Sequence, residues 1–187
     1  GSYRESGDKG NIEYRINASW FAYKLNLPTI QEPYLLEIYY PDDDERTFTY
    51  ALIERDCPGI RSLCHGVASG GMYPLTYKMQ KAEMIFFPRQ KDPRLQFRTW
   101  WTGQRAAVSK IKIYKITSGF PVLIEKSERK FGLYQEEPLR FTTHWGAMPE
   151  GNKWKTIWSC GERVGKISKY VGINLWRPTL AIYGAKF

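Results

Sequence analysis

Between residues 11 and 117 apolar and polar positions largely alternate with a period of two, the pattern of half-buried strands. In Tyr34-Leu35-Leu36-Glu37-Ile38-Tyr39-Tyr40 this puts Leu36 and Ile38 on one face, Glu37 and Tyr39 on the other. Pro41 with Asp42-Asp43-Asp44 makes a turn, and Arg46 to Ile53 resumes the strand pattern with aromatic and β-branched residues. Gly66 to Gly71 reads as a loop. Further runs follow at Glu83 to Phe87, stopped by Pro88, and at Arg94 to Trp101. The last run, Val108 to Ile116, sends Ile111 and Ile113 inward and Lys110 and Lys112 outward. Strands separated by turns, with no helices between them, predict an antiparallel β-sandwich. About a hundred residues suffice for such a sandwich to bury its own core.

The pattern changes after Thr117. Residues 118–153 lack periodicity and contain Pro121, Pro138 and Pro149, which predicts a connector draped over a surface. Asn152 is a candidate N-cap, after which Trp154, Ile157, Trp158, Val164, Ile167 and Val171 recur at helical steps. Gly172 stands in the position that ends such a helix. Thr179 to Tyr183, between Pro178 and Gly184, reads as a short buried strand. Helix then strand is half of an α/β repeat. The expected organisation is therefore a sandwich over 11–117 and, over 118–187, a connector with the helix–strand piece of a second module. Gly1-Ser2 reads as the scar of a cleaved tag, and residues 1–10 as a flexible lead.

Composition adds two outliers. The chain has 187 residues, and its 7 Trp, 13 Tyr and 9 Phe exceed what a core of this size needs, so some rings belong on a surface or in a cleft. The balance of 28 Lys plus Arg against 19 Asp plus Glu gives +9 and admits an anionic partner. Basic residues at 110, 112, 115, 126, 129 and 130 would form a ridge, but Glu125 and Glu128 interleave with them. With no nucleic-acid motif in the chain, nucleic acid is the disfavoured partner. No apolar run approaches the ~20 residues of a membrane span.

Catalytic signals are weak. There is no G-x-S-x-G, no phosphate-binding glycine loop and no H-E-x-x-H. Glu136, Glu137 and Glu150 are not marked as a catalytic pair, and His65 and His144 stand in no triad-like context. No catalytic residue is assigned, and the isolated chain is not expected to be an enzyme. Cys57 and Cys64 flank a short loop and can be a disulfide, two free thiols or, with His65, metal ligands. A zinc site would need a fourth ligand and C-x-x-C spacing. Cys160 falls on the predicted helix as a buried free thiol.

Arg105-Ala106-Ala107-Val108-Ser109-Lys110-Ile111-Lys112-Ile113-Tyr114 is a polar turn running into an alternating last strand. It resembles the closing strand of galactose-binding-like β-sandwiches, the jelly rolls common among carbohydrate-binding modules. Tyr34 to Arg46 is similar to an early strand and turn of such modules. From Phe141-Thr142-Thr143-His144-Trp145-Gly146 to Tyr183-Gly184 the chain resembles the opening of a (β/α) barrel in glycoside-hydrolase-like bacterial proteins. The resemblance implies an all-β antiparallel jelly-roll sandwich that binds sugar beside a barrel that hydrolyses it. It also implies a secreted, cell-surface or periplasmic location.

Sugar recognition needs flat rings against pyranose C–H faces and convergent polar groups for the hydroxyls. Alternation puts Leu95, Phe97, Thr99 and Trp101 on one face and Gln96, Arg98 and Trp100 on the other. Trp100 and Arg98 thus make a ring-plus-hydrogen-bond pair. Tyr73 and Tyr77, after Gly70-Gly71, are loop candidates; Gln104 and Arg105 are turn candidates; Glu37 and Tyr39 are outward strand candidates. An outward Trp is equally served by a covering loop, and Glu37 and Tyr39 by cross-strand packing. Asp42, Asp43 and Asp44 are candidate calcium ligands, with a solvated turn as the simpler reading. Two functions follow: a non-catalytic carbohydrate-binding module of a larger secreted polysaccharide-degrading enzyme, or an accessory domain packed on a catalytic barrel without binding sugar.

Overall fold

The computed structural model describes residues 2–7, 18–54, 64–99, 104–119, 132–135 and 175–178, together with Glu162 and Gly165. One sheet has four antiparallel strands, β2 (Trp20–Lys24), β7 (Arg94–Thr99), β4 (Arg46–Ile53) and β5 (Cys64–Ser69), in that spatial order. The other has three, with β3 (Tyr34–Pro41) between β6 (Met79–Phe86) and β9 (Lys110–Lys115). A short antiparallel pair, β1 (Arg4–Glu5) and β8 (Ala107–Val108), completes the sandwich. Most connections carry the chain from one sheet to the other, as in a jelly roll. The expected all-β antiparallel sandwich is the observed one.

The two sheets meet through the inward positions of their strands. Leu36 and Ile38 of β3, Phe48, Tyr50 and Leu52 of β4, and Leu95 and Phe97 of β7 form one buried cluster with Phe21. Phe97 stacks on Phe21 with centroids 5.3 Å apart and meets Tyr23 and Tyr50 at 6.3 Å. Part of the aromatic excess is therefore core. Burial pushes the Tyr50 phenol up to about 12, with a smaller push from Tyr40. A folded-state value above the ordinary one of 10.0 means its stabilisation is intact below that pH and lost as pH rises toward 12. Unfolding free energy is expected to fall across this window, and less steeply in Tyr50→Phe. Urea titrations at stepped alkaline pH measure both slopes.

Several elements differ from the sequence expectation. Gly66 to Gly71 is not simply loop, because Cys64–Ser69 pairs with β4 as β5. A Cβ on Gly66 would lie 3.2 Å from the Phe48 carbonyl, so a bare backbone suits this strand. Val108 to Ile116 is not one strand. Ala106, Ala107 and Val108 are buried in succession, alternation fails, and the chain changes partner at Ser109, whose N–H donates to the Tyr39 carbonyl at 2.8 Å. Residues 2–7 are not a loose lead: Arg4–Glu5 is a strand, and the Ser6 N–H donates to the Ala106 carbonyl at 2.9 Å.

The connector contains β10 (Gly132–Gln135), which pairs in parallel with β11 (Leu175–Pro178). Parallel neighbours need a crossover between them. Glu162 and Gly165, inside the span expected to be helical, have helical backbone. The expected strand Thr179 to Tyr183, Cys57 with its proposed bridge, and Cys160 lie outside the described residues. Among the described residues no helix is long and apolar enough to cross a membrane.

Gly70 has φ +74°, and a Cβ there would stand 2.8 Å from the Glu45 Cα. Backbone cannot step aside as a side chain can. Gly70→Ala is expected to cost roughly 2–4 kcal/mol in a urea melt, combining left-handed strain with a clash.

Candidate functional site

The sequence candidates fall in three places. The first is the outer face of the four-stranded sheet. There Trp20 stands opposite Arg98, Arg98 opposite Thr49, and Thr49 opposite Gly66, one row across four strands. Trp20 is 58% exposed and Arg98 is half-buried. The next row offers Ala22, Gln96 and Ala51. Ala51 is covered, so the accessible part of this face runs from the exposed Trp20 on the edge strand to the exposed Gly66 on β5. Trp100, the ring expected beside Arg98, lies outside the described residues. Trp20 was not a sequence candidate. Its signal was available in Trp20-Phe21-Ala22-Tyr23-Lys24, which alternates and sends the indole away from buried Phe21.

The second place is one end of the sandwich, where the β3–β4 turn meets the loop 70–78 and the segment before β8. The Gln104 amide donates to Glu45 Oε1 at 2.8 Å, and Arg105 lies 3.4 Å from Glu5 Oε2. Tyr73 and Tyr77 are 59% and 76% exposed, and Tyr77 has φ +56°. That conformation is held by the Tyr77 N–H donating to the Asp42 carbonyl at 3.0 Å. Asp42 Oδ2 also accepts from the Thr76 hydroxyl at 2.6 Å and the Thr76 N–H at 2.9 Å. These bonds hold the Asp42 carboxyl below its usual pKa.

The acidic turn does not converge. Asp43 turns to Arg46 and Tyr3, while Asp44 accepts the Glu45 N–H. Asp42, Asp43 and Asp44 therefore face different partners rather than one centre. Among the described residues no three His, Cys, Asp or Glu side chains group as metal ligands.

The third place is the outer face of the three-stranded sheet. The Tyr39 hydroxyl donates to Glu37 Oε2 at 2.9 Å. Lys81 and Lys112 lie 3.7 and 3.6 Å from the same carboxylate. The Tyr39 bond is the largest influence and, with lesser help from the Lys81 and Lys112 ammonium groups, keeps the Glu37 carboxyl below its ordinary pKa against the opposing pull of desolvation. Lys112 and Lys110 sit 5.3 and 5.9 Å from the centre of the Tyr39 ring.

No known protein family and no curated protein matches this chain. Among solved structures it is similar to a CBM4 module at 12% identity and a TM-score of 0.47, covering 61% of this chain and 71% of that one. It is similar also to TmCBM61, solved with β-1,4-galactotriose, at 7% identity and 0.39, covering 59% and 68%. The enzymatically active domain of tailspike protein 4 from bacteriophage CBA120 is a third, at 8% identity and 0.40, covering 62% of this chain and 18% of that one.

Proposed function

We propose that the sandwich is a non-catalytic carbohydrate-binding domain of a larger secreted polysaccharide-degrading enzyme. The observation that carries this reading is the row Trp20–Arg98–Thr49–Gly66, which sets an exposed tryptophan opposite an arginine on the outer face. An indole covers the apolar face of a pyranose while the arginine side chain addresses its hydroxyls. Gln96 shares the strand face of Arg98 and would extend it. Residues 118–187 fit the opening of a second, barrel-like module, because the parallel pair β10–β11 with helical Glu162 and Gly165 between its strands suits an α/β unit.

Affinity gel electrophoresis against a panel of neutral polysaccharides tests the reading. Retardation by at least one glycan is expected, and none by any glycan overturns it. A second reading, an accessory domain without sugar affinity, is favoured by the loop that exposes Met72, Tyr73 and Tyr77 together. It predicts no retardation on any gel and a stable complex with the adjoining catalytic module expressed separately.

A further inference from the structure

The outer face of the three-stranded sheet carries its own binding chemistry, remote in the fold from the Trp20 row. Strand register fixes it in rows. Lys81, Tyr39 and Lys110 lie side by side in one, and Glu83, Glu37 and Lys112 in the next. Tyr114, 45% exposed, follows in the third. We propose that this face binds the uronate residues of an acidic polysaccharide, with Tyr39 as the stacking ring and Lys110, Lys112 and Lys81 around the sugar carboxylate. The proposal shares with the reading above only the premise that the chain binds glycan.

Three features select this ligand. The cations are placed by paired strands, so two of them stand beside one aromatic ring, at 5.3 and 5.9 Å from its centre. Both ammonium groups lie over the Tyr39 ring, so a uronate that reaches this ring brings its own carboxylate to them. Next, the face holds acceptors as well as cations. Glu37 receives the Tyr39 hydroxyl, and Glu83 is 2.6 Å from Lys81. Sugar hydroxyls can donate to these carboxylates, whereas a phosphodiester backbone offers them repulsion. Finally, three ammonium groups against two carboxylates leave a net +1 on the patch. That matches one carboxylate per sugar better than a densely sulfated chain or nucleic acid.

Affinity gels at fixed ionic strength compare polygalacturonate, dextran sulfate, a neutral galactan and single-stranded DNA. Polygalacturonate is expected to retard the protein, with a weaker effect at higher salt. The double substitution Lys110→Gln with Lys112→Gln should weaken that retention about tenfold or more. Lys91→Gln, an equal change of charge per site on the exposed β6–β7 connection, should leave it unchanged. Each altered lysine is exposed or half-exposed, and matching melting temperatures verify folding. Equal or stronger retention by dextran sulfate or DNA overturns the proposal in favour of a general polyanion surface. Retention of polygalacturonate indifferent to Lys110 and Lys112 overturns it as well. Neutral galactan reads the Trp20 face separately, so polygalacturonate retention without galactan retention supports this proposal alone, and the reverse pattern sinks it alone.

Discussion

Glu5→Gln combined with Asp43→Asn is expected to destabilise the sandwich by roughly 3–5 kcal/mol, well beyond the effect of Arg46→Met. The reason is which partner is buried. The Arg46 side chain is 2% exposed and lies 2.7 Å from Glu5 Oε1 and 2.8 Å from Asp43 Oδ1. It also donates to the Arg105 carbonyl at 3.2 Å and lies over the Tyr3 ring. Removing both carboxylates leaves a guanidinium that cannot give up its proton in a site that excludes water. Removing the arginine instead leaves two carboxylates near the surface, where water replaces the lost partner, and methionine fills much of the volume.

The same geometry sets an acid limb. Burial pulls the Asp43 carboxyl upward, but its bonds with Arg46 and Tyr3 outweigh that and hold it below the ordinary 3.8. A depressed folded-state value gives stability that is present above the ordinary pKa and lost as pH falls through the folded one. Urea melts at neutral pH and near pH 3 should therefore show a smaller acid loss in the double variant than in the parent. Equal stability of the double variant and Arg46→Met at neutral pH would contradict this assignment.

Strands whose alternation is locally strict were legible from sequence. Tyr34–Pro41 and Arg46–Ile53 lie where Leu36/Ile38 and Phe48/Tyr50/Leu52 put them, and Ile111 and Ile113 pack against the core as expected. Strand β5 was not, because His65-Gly66-Val67-Ala68-Ser69 has few large residues and owes its strand to a partner already in place. The N-terminal strand was hidden for the same reason: two residues carry no period, and only pairing with Ala107–Val108 defines them. Outward faces were legible too, since Arg98, Glu37 and Tyr39 all avoid the main core. Which candidates share a face was not, because that depends on the register between distant strands. Trp20 opposite Arg98 is a pairing that no local window contains. Glu37 and Tyr39 lie on the other sheet, and Tyr73, Tyr77, Gln104 and Arg105 gather at the end of the sandwich.

Trp20→Ala is expected to weaken retention by a neutral polysaccharide between tenfold and a hundredfold, about 1–3 kcal/mol for a buried ring face. Its effect on the fold should be small, within about 0.5 kcal/mol, because the indole is 58% exposed on an edge strand and the buried side of β2 is held by Phe21. That separation makes the variant informative: affinity moves while the melting temperature does not. Trp20→Phe should recover part of the binding, since a smaller ring covers less of the sugar. Arg98→Ala should weaken binding through lost hydrogen bonds, and its effect should not simply add to that of Trp20→Ala, because the two side chains occupy one row. Full retention by Trp20→Ala would remove the four-stranded face from the binding surface. Loss of retention in Tyr73→Ala with Tyr77→Ala instead would move it to the loop 70–78, where both rings are held outward by the backbone bonds to Gly70 and Asp42.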